Sequence, residues 1–314
     1  MRDLRIVFMG TPDFAVTILK GLLESGQNVV GVITAPDKPA GRGRKINQSA
    51  VKKYALEEGL TILQPTNLKS ESFLNELKGL NANLQIVVAF RMLPNAVWKL
   101  PEFGTFNLHA SLLPQYRGAA PINWALINGE TKTGVTTFFI DDKIDTGEII
   151  LQKAVEVSST ETVGQLHDRL MHLGSDVVNK TVNLIADDAV ITTKQTSEDL
   201  KFAPKIHTDT CKIDWSDTLD NIYNKVRGLN PYPAAWTTIL DNDQSVQAKV
   251  YDVRKEIIDH NFEIGAIVSS KKELKIATAE GFLIIDAIKL AGKRKMDTKS
   301  LLNGHSFSLE ARIA

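Results

Sequence analysis

The chain has 314 residues, 43% of them hydrophobic and 24% charged, with 37 basic and 37 acidic side chains and no net charge. That is the profile of a water-soluble globular protein, and its length exceeds the roughly 250–300 residues at which single cores stop growing, so two domains are expected. The zero balance excludes a wholesale polycation or polyanion and leaves only local charge to mark a nucleic-acid partner.

Cys211 is the single cysteine, so no internal disulfide is available and a reducing compartment is expected. The apolar run Ile6 to Met9 is too short for a secretory h-region. No stretch reaches the approximately 18 apolar residues of a membrane span. A cytoplasmic location and no membrane partner are the resulting expectations.

Residues 4–10 form a continuous apolar run closed by a glycine, the pattern of a buried strand. Phe14, Ile18 and Leu22 then keep helical spacing up to Gly26. Strand and helix patterns continue to alternate: strands near 29–34, 60–63, 84–90 and 105–109, with helices near 47–58, 69–78 and 94–99. This order predicts an α/β fold, an open, mostly parallel, doubly wound sheet. Gly10-Thr11-Pro12 lacks the later glycines of a dinucleotide fingerprint, which argues against a nicotinamide-dependent dehydrogenase.

Leu166, Leu170, Leu173, Val177, Thr181 and Leu184 predict a long helix over 160–187, with N-cap chemistry at Ser158 to Glu161. Residues 188–207 are polar and broken by Pro204, as in a linker. Beyond them come a helix near 216–229 and short strands near 235–240, 246–253, 264–268, 273–279 and 282–290. These predict a smaller, OB-like β-barrel. The expected division is a catalytic domain over 1–189, a linker over 190–206 and the barrel over 207–314.

On a strand over 105–109, Asn107 and His109 share a face, and Phe106, Leu108 and Ala110 share the other. The carboxyl end of a parallel strand is where open α/β sheets bind ligands. Asp145 follows the next strand pattern, Gly134 to Ile140, in a loop that could return a carboxylate toward His109. Spacing alone favours reading His109 as a packed strand residue and Asp145 as a turn residue of Asp-Thr-Gly. His167 and His172, five apart on a helix, do not share a face, so no zinc site is expected.

Asn107-Leu108-His109, Ser111-Leu112-Leu113-Pro114, Tyr116-Arg117-Gly118 and Asp145-Thr146-Gly147 occur in that order and spacing. Together they resemble the formyltransferases that use 10-formyltetrahydrofolate. Phe8 to Ala15, Ala35 to Gly43 and Asn230 to Trp236 extend the resemblance over nearly the whole chain, toward members whose acceptor is methionyl-tRNA.

The resemblance implies Asn107, His109 and Asp145 as catalytic residues. It implies a folate site formed by Ser111, Leu112, Leu113 and Pro114, with Val88, Phe90, Arg91 and Leu93 on one side and Asp141 and Ile144 on the other. It also implies 10-formyltetrahydrofolate as formyl donor, without a metal, and initiator methionyl-tRNA as partner of a monomer. Arg91 and Glu148 depart from the family, where a glycine and an aspartate are usual.

The physics fits these roles. Amine attack on a formyl carbon puts charge on the formyl oxygen, and hydrogen-bond donors placed there lower the barrier. A carboxylate beside His109 favours the charged ring.

The loop over 34–47 holds Lys38, Arg42, Arg44 and Lys45 against one acid, Asp37. Four cations suit phosphate contacts, and the resemblance implies that they meet the tRNA acceptor end. Lys271, Lys272, Lys275, Lys293, Arg294 and Lys295 in the barrel are equally readable as an RNA track or as solubilising charge. A small acceptor, such as glycinamide ribonucleotide or an amino sugar, is the alternative; it would require neither the basic loop nor the barrel.

Overall fold

The computed structural model describes residues 1–40 and 45–314, with backbone only for 39, 40, 45 and 46. The chain packs as two compact units. One comprises 1–121, 133–155 and 167–202; the other comprises 122–132, 156–166 and 203–314.

The elements of the first half are β1 (Ile6–Gly10), α1 (Asp13–Glu24), β2 (Val29–Ile33), β3 (Lys38–Ala40), β4 (Lys45–Asn47), α2 (Ala50–Glu57), β5 (Ile62–Leu63), α3 (Glu71–Gly79), β6 (Leu84–Val88), α4 (Asn95–Trp98) and β7 (Thr105–His109). Then come β8 (Arg117–Gly118), α5 (Pro121–Ile127), β9 (Lys132–Phe139), β10 (Ile149–Glu156) and α6 (Val163–Ala186).

Seven strands make one sheet in the order β10-β9-β7-β6-β1-β2-β5. The strands β7-β6-β1-β2-β5 pair in parallel, and β9 joins antiparallel to β7. All five residues of β1 are buried, as its unbroken apolar run requires of a central strand. The chain winds outward from β1 through β2 and β5, then returns to the other side of β1 through β6 and β7. That reversal puts the topological switch point, where open α/β sheets bind ligands, at the carboxyl ends of β1 and β6, beside β7.

Val7, Met9, Ile33 and Val87 pack with Phe73, Leu77, Leu93 and Val97 of the flanking helices and loop. Each such side chain contributes about 1.5–3 kcal/mol on full burial. On α1, Phe14, Ala15, Ile18, Leu19 and Leu22 form the buried stripe, and the helix ends before Gly26, whose φ of +72° suits glycine. On α6, Gly174 lies against Leu108 of β7: a Cβ there would come within 2.7 Å of Leu108 Cδ2.

The N-terminus of α6 differs from the expected one. Thr162 caps it, with its backbone N–H donating to Gln165 Oε1 at 2.9 Å and its hydroxyl accepting from Gln165 N at 3.4 Å. This is a capping box, and it begins the helix after Thr162, leaving Ser158 to Glu161 in the preceding turn.

The second unit contains β11 (Phe202–Ala203) in part, α7 (Leu219–Leu229), α8 (Thr298–Leu302) and the strands β12 (Ala235–Asp241), β13 (Gln244–Val250), β14 (Val253–Ile257), β15 (Ile267–Ser269), β16 (Leu274–Thr278), β17 (Gly281–Ile285), β18 (Ala287–Leu290), β19 (Met296–Asp297) and β20 (Arg312–Ile313). Two of the expected strands are each broken in two. The chain bends at Asp252 and at Asp286, where Asp286 N and Ala287 N both donate to Asp252 O, at 2.7 and 3.1 Å.

Those bends carry two strands from one sheet, β19-β18-β13-β12-β20, into the other, β14-β17-β16-β15. On the far side the bridge between Ala266 and Arg312 joins β15 to the β20 edge. The two sheets thereby close into a mostly antiparallel barrel around Ile239, Ala248, Val250, Ile276, Leu283 and Ile288. Thr218 caps α7 by accepting from Asn221 N at 3.2 Å, and Ile222, Val226 and Leu229 join the same core. Arg227 is buried on α7 and donates to the carbonyls of Ser158 and Glu161 at 3.1 and 3.2 Å; burial pulls its guanidinium below the usual range.

Candidate active site

Strand β7 spans the residues expected of it, and pairing fixes its register: Asn107 lies between Val87 and Phe138, and His109 pairs with Thr136. Leu108 faces Gly174 on α6. Alternation therefore puts Asn107 and His109 together on the opposite face. Asn107 Oδ1 is buried and makes no hydrogen bond among the described residues.

The His109 ring is buried, with side-chain exposure of 7%. Its Nε2 lies 2.8 Å from the carbonyl oxygen of Tyr116. A carbonyl only accepts, so Nε2 carries the proton and the Nδ1 of the neutral ring carries a lone pair. Nδ1 faces Asp145 Oδ2 at 3.8 Å, an ion-pair distance when the ring is charged and too long for a hydrogen bond. The structure thus brings the three residues together and divides the two ring nitrogens between a fixed carbonyl and a carboxylate. Tyr116 holds its carbonyl there in a left-handed conformation, φ +62°.

Asp145 is also left-handed, at φ +55°, and its Oδ2 accepts from Gly118 N at 2.9 Å. Its loop is tightly built. Thr146 Oγ1 donates to Asp141 at 2.7 and 2.9 Å, and Lys143 N donates to Asp141 Oδ1 at 3.0 Å. Gly147 passes so close to β9 that a Cβ would lie 1.7 Å from Phe139 O. Gln195 Nε2 donates to the carbonyls of Asp145 and Gly147 at 3.0 and 2.7 Å, while its Oε1 accepts from Arg117 Nε and Nη2 at 3.1 and 2.7 Å. Sequence reasoning placed Gln195 in the linker and gave it no role.

The segment after β7 is pinned as well. Ser111 is fully buried and donates to Gln115 O at 2.7 Å. Thr136 Oγ1 donates to Ser111 O at 2.7 Å and accepts from Leu113 N at 3.2 Å. Gln152 Nε2 donates to Leu113 O at 2.7 Å. Leu113 is buried, Leu112 and Pro114 are half-buried, and the Leu113-Pro114 peptide is cis.

Val88 is buried at the end of β6, paired with Leu108. Leu93 is buried, with Phe90 and Ile140 packed partly against the same cluster. Asp141 is half-buried and Ile144 is 62% exposed. Arg91 turns toward the chain after β5, donating to Thr66 O at 3.0 Å and to Pro65 O, with its guanidinium 5.6 Å from the Phe90 ring centroid. Glu148 accepts from the Thr192 hydroxyl at 2.5 Å.

In the basic loop, β3 and β4 form a short antiparallel ladder that pairs Lys38 with Asn47, and Lys38 is exposed. Arg42 and Arg44 lie outside the described residues, as does the Lys45 side chain. Asp37 does not offset these cations freely. Hydrogen bonds from Gln64 at 2.9 Å and Lys52 at 2.6 Å hold it and keep its carboxyl below the usual range.

Among the described residues no three or more His, Cys, Asp or Glu side chains are grouped to hold a metal ion. No helix among them is long and apolar enough to cross a membrane.

This geometry, an unpaired carboxamide beside a histidine–aspartate pair at the carboxyl end of a parallel strand, accompanies a sequence match at family level. Residues 4–182 match the Formyl transferase family and residues 205–306 match the Formyl transferase C-terminal domain. The chain belongs to the formyl transferase family.

Among its relatives, the methionyl-tRNA formyltransferase of Flavobacterium johnsoniae is 58% identical over 314 residues, covering 100% of both chains. The methionyl-tRNA formyltransferase of Parabacteroides distasonis is 54% identical, covering 96% of each. Among solved structures, the sugar 3N-formyl transferase WlaRD, determined in the presence of dTDP and 5-N-formyl-THF, shares the fold. Its TM-score is 0.65 at 21% identity, covering 94% of this chain and 100% of that one.

Proposed function

We propose that the chain transfers the formyl group of 10-formyltetrahydrofolate to the α-amino group of methionyl-tRNA, through Asn107, His109 and Asp145. Relatives at 58% and 54% identity over nearly the whole chain are named methionyl-tRNA formyltransferase, which supports the reaction and its acceptor. The observation that carries the mechanism is the buried, unpaired oxygen of Asn107 next to a histidine whose Nδ1 is uncommitted. An unpartnered buried polar atom calls for a partner that the chain does not supply, such as a bound ligand or an ordered water.

10-Formyltetrahydrofolate supplies the formyl carbon and, after transfer, a leaving nitrogen. The carboxamide of Asn107 fits both halves of this reaction: its N–H donates to the formyl oxygen as charge builds there, and its Oδ1 accepts from the incoming amine. His109 Nδ1 takes the proton the amine loses as the new C–N bond forms. Asp145 stabilises the resulting imidazolium, and His109 returns the proton to the leaving nitrogen as the old C–N bond breaks. Tyr116 O keeps the ring turned so that Nδ1, not Nε2, faces the reaction.

In this reading the folate lies against Ser111, Leu112, Leu113 and Pro114, flanked by Val88, Phe90, Arg91 and Leu93 and by Asp141 and Ile144. Ser111 contributes shape and not a free hydroxyl, because its proton is committed to Gln115 O. Lys38, Arg42, Arg44 and Lys45 meet the acceptor end of the tRNA. A catalytic domain over 1–189, a linker over 190–206 and a tRNA-binding barrel over 207–314 is the division of labour that follows in sequence.

The test is transfer of labelled formyl from 10-formyltetrahydrofolate to methionyl-tRNA, with glycinamide ribonucleotide as a parallel acceptor. Turnover on the charged tRNA and none on the small amine supports the reading. Turnover on the small amine alone would replace the acceptor and discard the RNA assignments.

A further inference from the structure

We infer that Gln195 is a positioning residue for this reaction, acting through Asp145, an inference that rests on the function proposed above. The two nitrogens of the His109 ring are addressed from two separate segments. Tyr116 O, on the segment that continues into Arg117 and Gly118, takes Nε2 at 2.8 Å. Asp145, on the loop between β9 and β10, faces Nδ1 at 3.8 Å. The ring is held for chemistry only if those segments keep their separation, and two cross-links set it. One is Gly118 N to Asp145 Oδ2 at 2.9 Å. The other is Gln195.

The carboxamide of Gln195 is used at both ends. Its N–H₂ donates to Asp145 O and Gly147 O at 3.0 and 2.7 Å, and its oxygen accepts from Arg117 Nε and Nη2 at 3.1 and 2.7 Å. A carboxylate there would satisfy Arg117 and offer nothing to the carbonyls. An amide does both.

The restraint matters because Asp145, at φ +55°, sits in a backbone conformation that a non-glycine residue keeps only when its surroundings hold it. The residue comes from a polar stretch 50 positions after Asp145 in sequence and 78 after Arg117. Gln195 itself makes no contact with the reacting groups, so its influence passes through the Asp145 backbone.

The test compares the full-length wild type with Gln195→Glu, which keeps the acceptor and removes both donors, and with Gln195→Met, which removes all polarity without adding charge. In formyl transfer from 10-formyltetrahydrofolate to methionyl-tRNA, both variants are expected to lose about 10- to 100-fold in kcat, with KM for either substrate little changed. In an Asp145→Asn background, Gln195→Glu is expected to cost less than about 2-fold more, because its effect is already spent. Amide hydrogen exchange at Gly118 should quicken in both single variants as Asp145 Oδ2 leaves its N–H.

Wild-type kcat in Gln195→Glu, or an equal loss in both backgrounds, would overturn the inference. Absence of wild-type turnover on methionyl-tRNA would instead count against the proposed reaction. The Gly118 exchange would then still decide whether Gln195 holds Asp145: faster exchange supports the clamp, and unchanged exchange overturns it.

Discussion

A buried carboxamide oxygen without a partner costs about 1–3 kcal/mol, and the Asn107 Oδ1 is such an atom. Its place beside His109 is therefore unfavourable for folding, and in the proposed reaction the incoming amine supplies the missing partner. Asn107→Ala is expected to lower kcat by about 10²–10³. Thermal unfolding of the same variant should show a midpoint no lower than wild type by more than a few degrees. A large loss of stability with little loss of turnover would make Asn107 a packing residue.

Tyr54 gives a second prediction at this scale. Burial, with Glu58 beside it, pushes its phenol from 10.0 up to about 12. A folded-state pKa above the unfolded one stabilises the fold below pH 10 and loses that contribution as pH rises toward 12. Unfolding midpoints measured across that range should fall less steeply in Tyr54→Phe than in wild type.

The positions of Asn107 and His109 depend on how their elements meet. Leu108 fills the space that Gly174 leaves on α6, so the face of β7 bearing Asn107 and His109 is set from behind by a missing side chain. Gly174→Val would press on Leu108 and is expected to cost about 1–3 kcal/mol in stability. It should lower kcat as well, measurable by urea unfolding alongside transfer assays; unchanged kcat would show that β7 yields without moving its polar face.

At this scale, legibility from the sequence divides clearly. Strand β7 has the boundaries its apolar alternation implies, and Asn107 and His109 share a face because alternation requires it. The capping box at Thr162 and Gln165 carried a readable signal, but the nearby Ser158 and Glu161 offered the same chemistry. The bends at Asp252 and Asp286 carried none: each residue falls within a strand pattern that continues past it, and only hydrogen bonds between distant residues decide where a strand changes sheet. Gln195 was hidden for a related reason. A polar residue in a stretch without periodicity reads as linker, and its bonds reach 50 and 78 positions back along the chain.

At the scale of the whole molecule, the six basic residues singled out in the barrel fall into two groups. Lys275 is tied to Glu256 at 2.7 Å and Glu273 at 3.6 Å, and Lys295 pairs with Asp252 at 3.2 Å. Lys271, Lys272, Lys293 and Arg294 are exposed and lie in the turns β15–β16 and β18–β19. If the barrel binds RNA, the second group supplies the cations that neutralise phosphates. Reversing these four charges should raise KM for methionyl-tRNA and spare KM for the folate. It should also flatten the salt dependence of binding, by a slope of about 0.9 for each phosphate no longer neutralised. An unaltered salt slope would assign the barrel's charge to solubility.

In the proposed reaction, formyl transfer occurs at the face of β7, where Asn107 and His109 meet Asp145. Single-turnover transfer from 10-formyltetrahydrofolate to methionyl-tRNA, compared between wild type and folded His109→Ala, tests it most directly. Transfer by the wild-type chain is expected, with a rate lower by about 10²–10⁴ in the variant. A His109→Ala protein that transfers formyl at the wild-type rate would contradict it and move the chemistry elsewhere in the molecule.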